Sequence, residues 1–347
     1  MEIYLIGLAV ALVGGLLMSR LTRLLHLPAV TAYLVAGLLL GPFFLGRLNV
    51  PGLGFNTLEE VNVLSIVSQT ALGFIAFAMG NEFRLSQLRT IGSRAIIIGI
   101  LQAVITTIVV DVILLLLHLF FPHIISVPCA ITLGAIAAAT APAATLMVVR
   151  QYKADGPMTR LLMLVVALDD AVGLLLFSVS FGIATALSNG QVSVLAVVVE
   201  PIVEILLSVG LGGFMGLLLH WVERFFHSRS KRMSLSVAFV MLTVGLSMLE
   251  FQIGPVHCGF SLLLVCMMTG TIFCNVCPTS EELMERVDGW TMPLNILFFV
   301  ISGAELDLNV LSQPVTLIVG IIYIIARSAG KYCGANLSCR ITKEPKS

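Results

Sequence analysis

Eleven apolar runs of about twenty residues follow one another along the chain, near 3–19, 28–46, 60–80, 93–118, 127–149, 158–187, 194–223, 233–250, 255–275, 290–305 and 314–336. A helix of that length spans the ~30 Å hydrocarbon core of a bilayer, and in lipid only helices and closed barrels satisfy their own backbone. Hydrophobic residues make up 58% of the chain and charged residues 11%, with a mean hydropathy of +1.06. That leaves too little polar surface for a soluble domain, so the chain reads as an all-α polytopic membrane protein whose partner is the lipid bilayer, not nucleic acid. The first run lacks a basic n-region and a convincing cleavage site and is kept as a span. The long sixth and seventh runs need tilt or a protruding end.

The basic residues give these spans an orientation. Sixteen of the nineteen fall in the odd-numbered connections and the tail: Arg20, Arg23, Arg84, Arg89, Arg94, Arg150, Lys153, Arg160, Arg224, Arg229, Lys231, Arg232, Arg286, Arg340, Lys343 and Lys346. Arg47 alone lies on the opposite side, and Arg327 and Lys331 fall inside the eleventh span. The positive-inside rule then places the N-terminus outside and the tail in the cytoplasm.

Two adjacent carboxylates, Asp169 and Asp170, sit deep in the sixth run, where Arg160 near the start is the only other charge. A charge at the bilayer centre costs at least ~2.5–3.5 kcal/mol, so intramembrane acids default to function. Neighbours on a helix point about 100° apart, so one can face an aqueous cavity while the other faces a neighbouring helix. Such a carboxylate carries a proton or a small cation but resists both at once, and that competition is the physical core of ion exchange. In the fifth run, Thr140-Ala141-Pro142 predicts a broken helix, because proline removes an amide and blocks the carbonyl four residues back. The freed carbonyls and the Thr140 or Thr145 hydroxyls could face a cation. Arg327 and Lys331, spaced i, i+4, share one face of the eleventh span and are candidate partners for an Asp, Asp169 above all. Asp111 reads as structural or interfacial, and Glu200 with Glu204 as a wet face. Glu281, Glu282 and Glu285 read as a solvated loop, Gly212 and Gly216 as a packing step, and Cys274 and Cys277 as buried thiols.

An internal repeat organises the spans. Phe77 to Leu88 lines up with Val300 to Leu311 when Gly80 is set on Gly303, sharing Gly-x-Glu-apolar-x-Leu-x-x-Leu through Glu82 and Glu305. Pro28 to Tyr33 lines up with Pro255 to Phe260 at nearly the same offset, 227 against 223, in the same order along the chain. The third helix maps on the tenth and the second on the ninth; a shift of seven is odd, so the copies cross the membrane in opposite senses. Inverted repeats of this kind build many secondary transporters. The counterparts of the fifth and sixth helices would begin at about residue 350, past Ser347, so the expectation is a C-terminally shortened chain.

These residues together resemble the monovalent cation:proton antiporters, in the branch with thirteen helices and an Asp-Asp motif. The likeness rests on Pro28-x-x-x-Ala32-Tyr33, Ala36-Gly37, Gly41-Pro42, Gly80-x-Glu82, Thr140-Ala141-Pro142, Asp169-Asp170, Phe298 to Asp307, and Arg327 to Lys331. It implies an inverted-repeat fold with crossed broken helices, eleven of thirteen being present. Panel helices would occupy 1–91 and 233–311, core helices 92–187, a linker helix 188–232, and the start of the second core half 312–347. It further implies Na⁺ or a proton at Asp170, Asp169 paired with Lys331, electrogenic exchange, and a homodimer through helix one and the panel. No cofactor and no enzymatic activity are implied, and the setting is the plasma membrane. Some relatives carry an acid directly after the broken-helix threonine; here Ala141 stands in that place. A K⁺/H⁺ antiporter and a cation-coupled organic-anion symporter are the alternatives. An intramembrane aspartyl protease needs two aspartates converging from separate helices, which adjacent residues cannot do.

Overall fold

The structure, a computed structural model, describes residues 2–24, 27–48, 50, 54–189, 199–249, 251–253, 256–309 and 313–342. Thirteen helices account for nearly all of them: α1 (Glu2–Leu24), α2 (Ala29–Leu40), α3 (Leu58–Val63), α4 (Ser65–Met79), α5 (Leu85–Phe120), α6 (Val127–Ala138), α7 (Pro142–Gln151), α8 (Pro157–Asn189), α9 (Glu200–Glu223), α10 (Arg229–Ser247), α11 (Leu262–Val276), α12 (Ser280–Ala304) and α13 (Pro314–Ile341). Eight helical stretches among the described residues are long and apolar enough to cross a membrane, and Ser65–Met79 and Leu262–Val276 are apolar but shorter.

The eleven predicted runs all correspond to helices, with boundaries that local chemistry moves. The third run becomes α3 and α4, joined at Leu64. Thr57 starts α3 by accepting the Glu60 N–H at 3.2 Å, while the Glu60 carboxylate accepts from Asn56 N at 2.8 Å, close to a capping box. The ninth run begins at Leu262, capped by the Ser261 hydroxyl, because the preceding chain forms a short antiparallel pair of β1 (Phe251–Ile253) and β2 (Val256–Cys258). The tenth begins at Ser280 rather than near 290. Glu281 and Glu282 therefore stand in the first turn of α12, with Glu285 in the next, instead of in a loop; acids there complement the helix N-terminus. Of the seventh run, 194–198 lies outside the described residues.

The repeat is written into the backbone packing. A Cβ on Gly80 would fall within 3 Å of Met267 O and Thr271 N of α11, and one on Gly303 would fall on the Leu34 backbone of α2. Reciprocally, Gly37 of α2 lies against Val300 of α12, and Gly270 of α11 lies against Phe77 of α4. Phe77 and Val300 are 223 residues apart, like Gly80 and Gly303, whereas Leu34 and Met267 are 233 apart, like Gly37 and Gly270. The third helix of each half thus packs on the second helix of the other, which is the signature of a two-fold relation. The structural offset for the second helices is 233, so the alignment of Pro28 with Pro255 is corrected: Ser261 occupies the position of Pro28, and Val256–Cys258 is extended chain. Only small residues allow backbones to approach this closely.

Apolar packing falls into separate groups. One group joins α1 to α4 with α11 and α12, touched at its edge by Ala143, Leu146 and Met147 of α7 and by Met163 and Ala167 of α8. A neighbouring group ties α4, α9, α10, α11 and α12 together around Phe74, Phe77 and Phe273. Two further groups lie apart, one linking α5 and α6 with α13 through Val110, Leu114 and Ala326, the other linking α5 with α8 through Ile98 and Leu164. Gly212 and Gly216 of α9 seat against Val265 and Thr269 of α11.

At one end of α9 the carboxylate of Glu223, 3% exposed, accepts from the Cys277 thiol at 2.8 Å and the Thr279 hydroxyl at 3.0 Å, and pairs with Arg232 at 3.3 Å. Burial, reinforced by this carboxylate, pushes the Cys277 thiol up, so it stays protonated and donates. Cys274 is buried as well.

Candidate ion-binding site

The fifth predicted span is broken where proline dictates. α6 stops at Ala138, α7 starts with Pro142 at its first position, and Ala139 (ψ 143°) and Ala141 (ψ 103°) are extended between them. Extension at Ala141 follows from the ring of the next residue, which disfavours helical ψ before proline, and proline itself suits the first turn of α7. The last carbonyls of α6 consequently have no amide to accept from, at the negative end of the helix dipole.

Two side chains of α13 supply the missing donors. Arg327 gives Nε to Ala137 O at 3.2 Å and Nη2 to Ala139 O at 2.7 Å. Lys331 gives Nζ to Ala138 O at 2.5 Å, to the Thr140 hydroxyl at 2.9 Å and to Asp169 Oδ2 at 3.2 Å, which uses all three of its protons. Glycine brings α13 within reach: Cβ atoms on Gly330 and Gly334 would meet the backbone of Thr106 and Gln102 of α5 at 3.0 Å and 2.9 Å.

Asp169, on α8, is 1% exposed. Its Oδ2 accepts from Lys331 and from the Thr140 hydroxyl at 2.5 Å, and its Oδ1 accepts from the side-chain amide of Gln102. A buried charge is tolerable only when paired and hydrogen-bonded, and here α5, α13 and the break contribute the donors. Arg327 makes no ion pair among the described residues. The Thr145 hydroxyl turns back to Ala141 O at 3.0 Å, inside its own helix. The backbone of Asp170 continues α8, and its side chain lies outside the described residues, as does that of Glu82.

Gln102 is the site residue that sequence reading missed, although a signal existed. Along α5 the polar residues Gln102, Thr106, Thr107 and Asp111 recur at helical spacing within an apolar run. At the far end of α7, Arg150 pairs with Asp288 of α12 at 2.5 Å, and Gln151 Oε1 accepts the Ala29 N–H at 2.7 Å, capping α2. The ten residues of α7 therefore form a rod of about 15 Å between the break and these two contacts.

A family model described as "Sodium/hydrogen exchanger, transmembrane" matches residues 8–346 of the chain. The chain belongs to this family. Among relatives, the Na(+)/H(+) antiporter NhaS4 of Synechocystis is 24% identical over 352 residues, covering 97% of this chain and 80% of that protein. The K(+) efflux antiporter 5 of Arabidopsis thaliana is 31% identical over 94 residues, 27% of this chain and 14% of that one. Two solved structures of the sodium proton antiporter MjNhaP1 from Methanocaldococcus jannaschii share the fold. One superposes with TM-score 0.75 at 19% identity over 97% of this chain and 78% of that one. The other, at pH 8, gives TM-score 0.67 at 20% identity over 98% and 78%. As a sodium/hydrogen exchanger family member the chain is an integral membrane transporter of the antiporter class, and its broken helix with the attached α13 cations sits within that fold.

Proposed function

We propose that this protein exchanges Na⁺ for H⁺ by alternating access, with Asp170 as the carboxylate for which the two ions compete. One observation carries the reading: Asp169 is saturated by Lys331, Thr140 and Gln102, so it acts as an anchor beside the break and leaves the exchangeable ion to its neighbour in sequence. Thr140, Ala141 and Pro142 form the break next to that ion; Thr145 lies one turn further along α7, and Arg327 holds the freed carbonyls. If Asp169 also takes a proton when Lys331 releases it, two protons exchange for one Na⁺. A membrane potential then contributes about 2.3 kcal/mol per net charge per 100 mV.

The separate apolar groups support a division into a core of α5 to α8 with α13 and a panel of α1 to α4 with α10 to α12, linked by α9. The panel would dimerise through α1, where Leu5 and Leu17 are 66% and 65% exposed. Counting basic residues supports an N-terminus outside and a tail in the cytoplasm, and the plasma membrane is the setting we propose. In that frame Arg150–Asp288 and Gln151–Ala29 close the core on the panel at the cytoplasmic end. Reversing one charge, Arg150→Glu, is expected to cut exchange and lower the melting temperature, and Asp288→Arg in the same chain to recover both. A double reversal no better than the single one would remove the latch from the cycle.

The decisive assay is proteoliposomes with an imposed pH gradient. Added Na⁺ should collapse the gradient, and Asp170→Asn should abolish the effect; activity retained in that variant sinks the assignment. K⁺ is the competing ion, favoured by the match to a K⁺ efflux antiporter over 94 residues. The same assay run with each ion decides between them.

A further inference from the structure

Nine residues beyond Gln102, about 13 Å along the axis of α5, stands Asp111. Its Oδ1 is enclosed without a hydrogen-bond partner, and so is the hydroxyl of Thr107, four residues earlier on the same face of the helix. Thr107 is 6% exposed. Its neighbour Thr106 behaves ordinarily, donating its hydroxyl to Gln102 O at 2.6 Å. Opposite Asp111 on α6 is Gly134, where any Cβ would fall on the carboxylate itself. The pocket for this oxygen therefore depends on a glycine.

α5 and α6 are joined by a short connection and run antiparallel, so the register set by Asp111 and Gly134 brings Thr107 level with Ala138, the carbonyl that accepts from Lys331. Arg327 is committed to Ala137 O and Ala139 O, and Asp111 has no ion pair among the described residues. Two enclosed oxygens, one a carboxylate's and one a hydroxyl's, lie a helical turn apart on α5, and neither has a hydrogen-bond partner among the described residues. An unsatisfied buried oxygen is costly, and in native proteins it marks a water or an ion. Hard oxygens select a hard cation, and a single carboxylate supplies charge for a monovalent one.

We propose that Asp111 and Thr107, against Gly134, form a second monovalent-cation site between α5 and α6, one stage outward from the Asp169–Asp170 pair. It rests on the exchange reading only for the identity of the ion. The sequence alone suggested a structural role for Asp111; its unpaired oxygen is what changes that.

The test is equilibrium binding of ²²Na⁺ to the whole chain in detergent, displaced by excess unlabelled Na⁺. With Asp170→Asn in place, displaceable binding should persist, and adding Asp111→Asn should remove it. Thr107→Val and Gly134→Ala, each in the same Asp170→Asn chain, should weaken it about tenfold, which keeps the question answerable should the Asp111 variant not fold. Absence of displaceable binding in the Asp170→Asn chain, or binding indifferent to Asp111→Asn and Thr107→Val, would overturn the proposal and leave only ordered water there. Wild-type protein that binds Na⁺ at this site but exchanges nothing would instead overturn the transport reading.

Discussion

Lys331→Ala is expected to destabilise the protein by about 3–5 kcal/mol, the usual cost of stranding one partner of a buried ion pair. Three interactions go at once: the pair with Asp169, the contact with the Thr140 hydroxyl, and the hydrogen bond to Ala138 O at the end of α6. Asp169 is 1% exposed and cannot recover solvent, so its charge stays uncompensated. Exposed pairs behave otherwise. Arg160 and Asp155, 46% and 75% exposed, should contribute at most about 1 kcal/mol, and Arg160→Ala serves as the control. Combining Lys331→Met with Asp169→Asn removes both charges and should regain most of the loss. Thermal unfolding in detergent reads all four proteins; a Lys331→Ala chain that melts with wild type would show that the pair holds nothing together.

Gly37→Ala and Gly270→Ala should each cost about 1–3 kcal/mol or more, because the added methyl meets main chain and no flexible side chain can yield. At Gly37 the methyl would be driven into Val300 O, and at Gly270 into Phe77 O. The two-fold relation between these contacts predicts losses of similar size, and valine at either position should prevent a monodisperse protein. Gly213 is the contrast. It lies inside α9 with open space where a Cβ would go, so Gly213→Ala should be neutral or stabilise by up to ~1 kcal/mol. Size-exclusion profiles and melting temperatures decide it, and full tolerance of alanine at both close-packed glycines would mean that the halves do not cross there at backbone distance.

Much of this architecture is legible along the chain. The apolar runs are long enough to be unmistakable, and Pro142 breaks its helix through its own covalent geometry, whatever surrounds it. The repeat is visible through Gly80 and Gly303, since glycine at a helix crossing cannot be replaced. Less legible were the starts of α11 and α12, where a polar segment continues a helix or folds into a hairpin according to what it packs on. The register of the second helices was misread by six residues for the same reason: Pro255 looks like Pro28, but Ser261 does the capping. Gln102 belongs to a polar series at helical spacing along α5, but what that series faces is decided by the helices packed against it.

By itself, then, the sequence determined that apolar helices make up the chain, the break before Pro142, the placing of Asp169 and Asp170 together deep in one helix and the placing of two cations on one face of another. Each follows from local rules: hydrophobic length, proline sterics and helical periodicity. Only the tertiary structure decided how the charges are spent. Arg327 and Lys331 are equivalent candidates for a carboxylate when seen along α13, and packing at Gly330 and Gly334 sets which carbonyl or acid each one reaches. It likewise left the Thr107 hydroxyl and Asp111 Oδ1 enclosed without hydrogen-bond partners among the described residues, because satisfaction of a polar atom depends on neighbours that are distant in the chain and close in space.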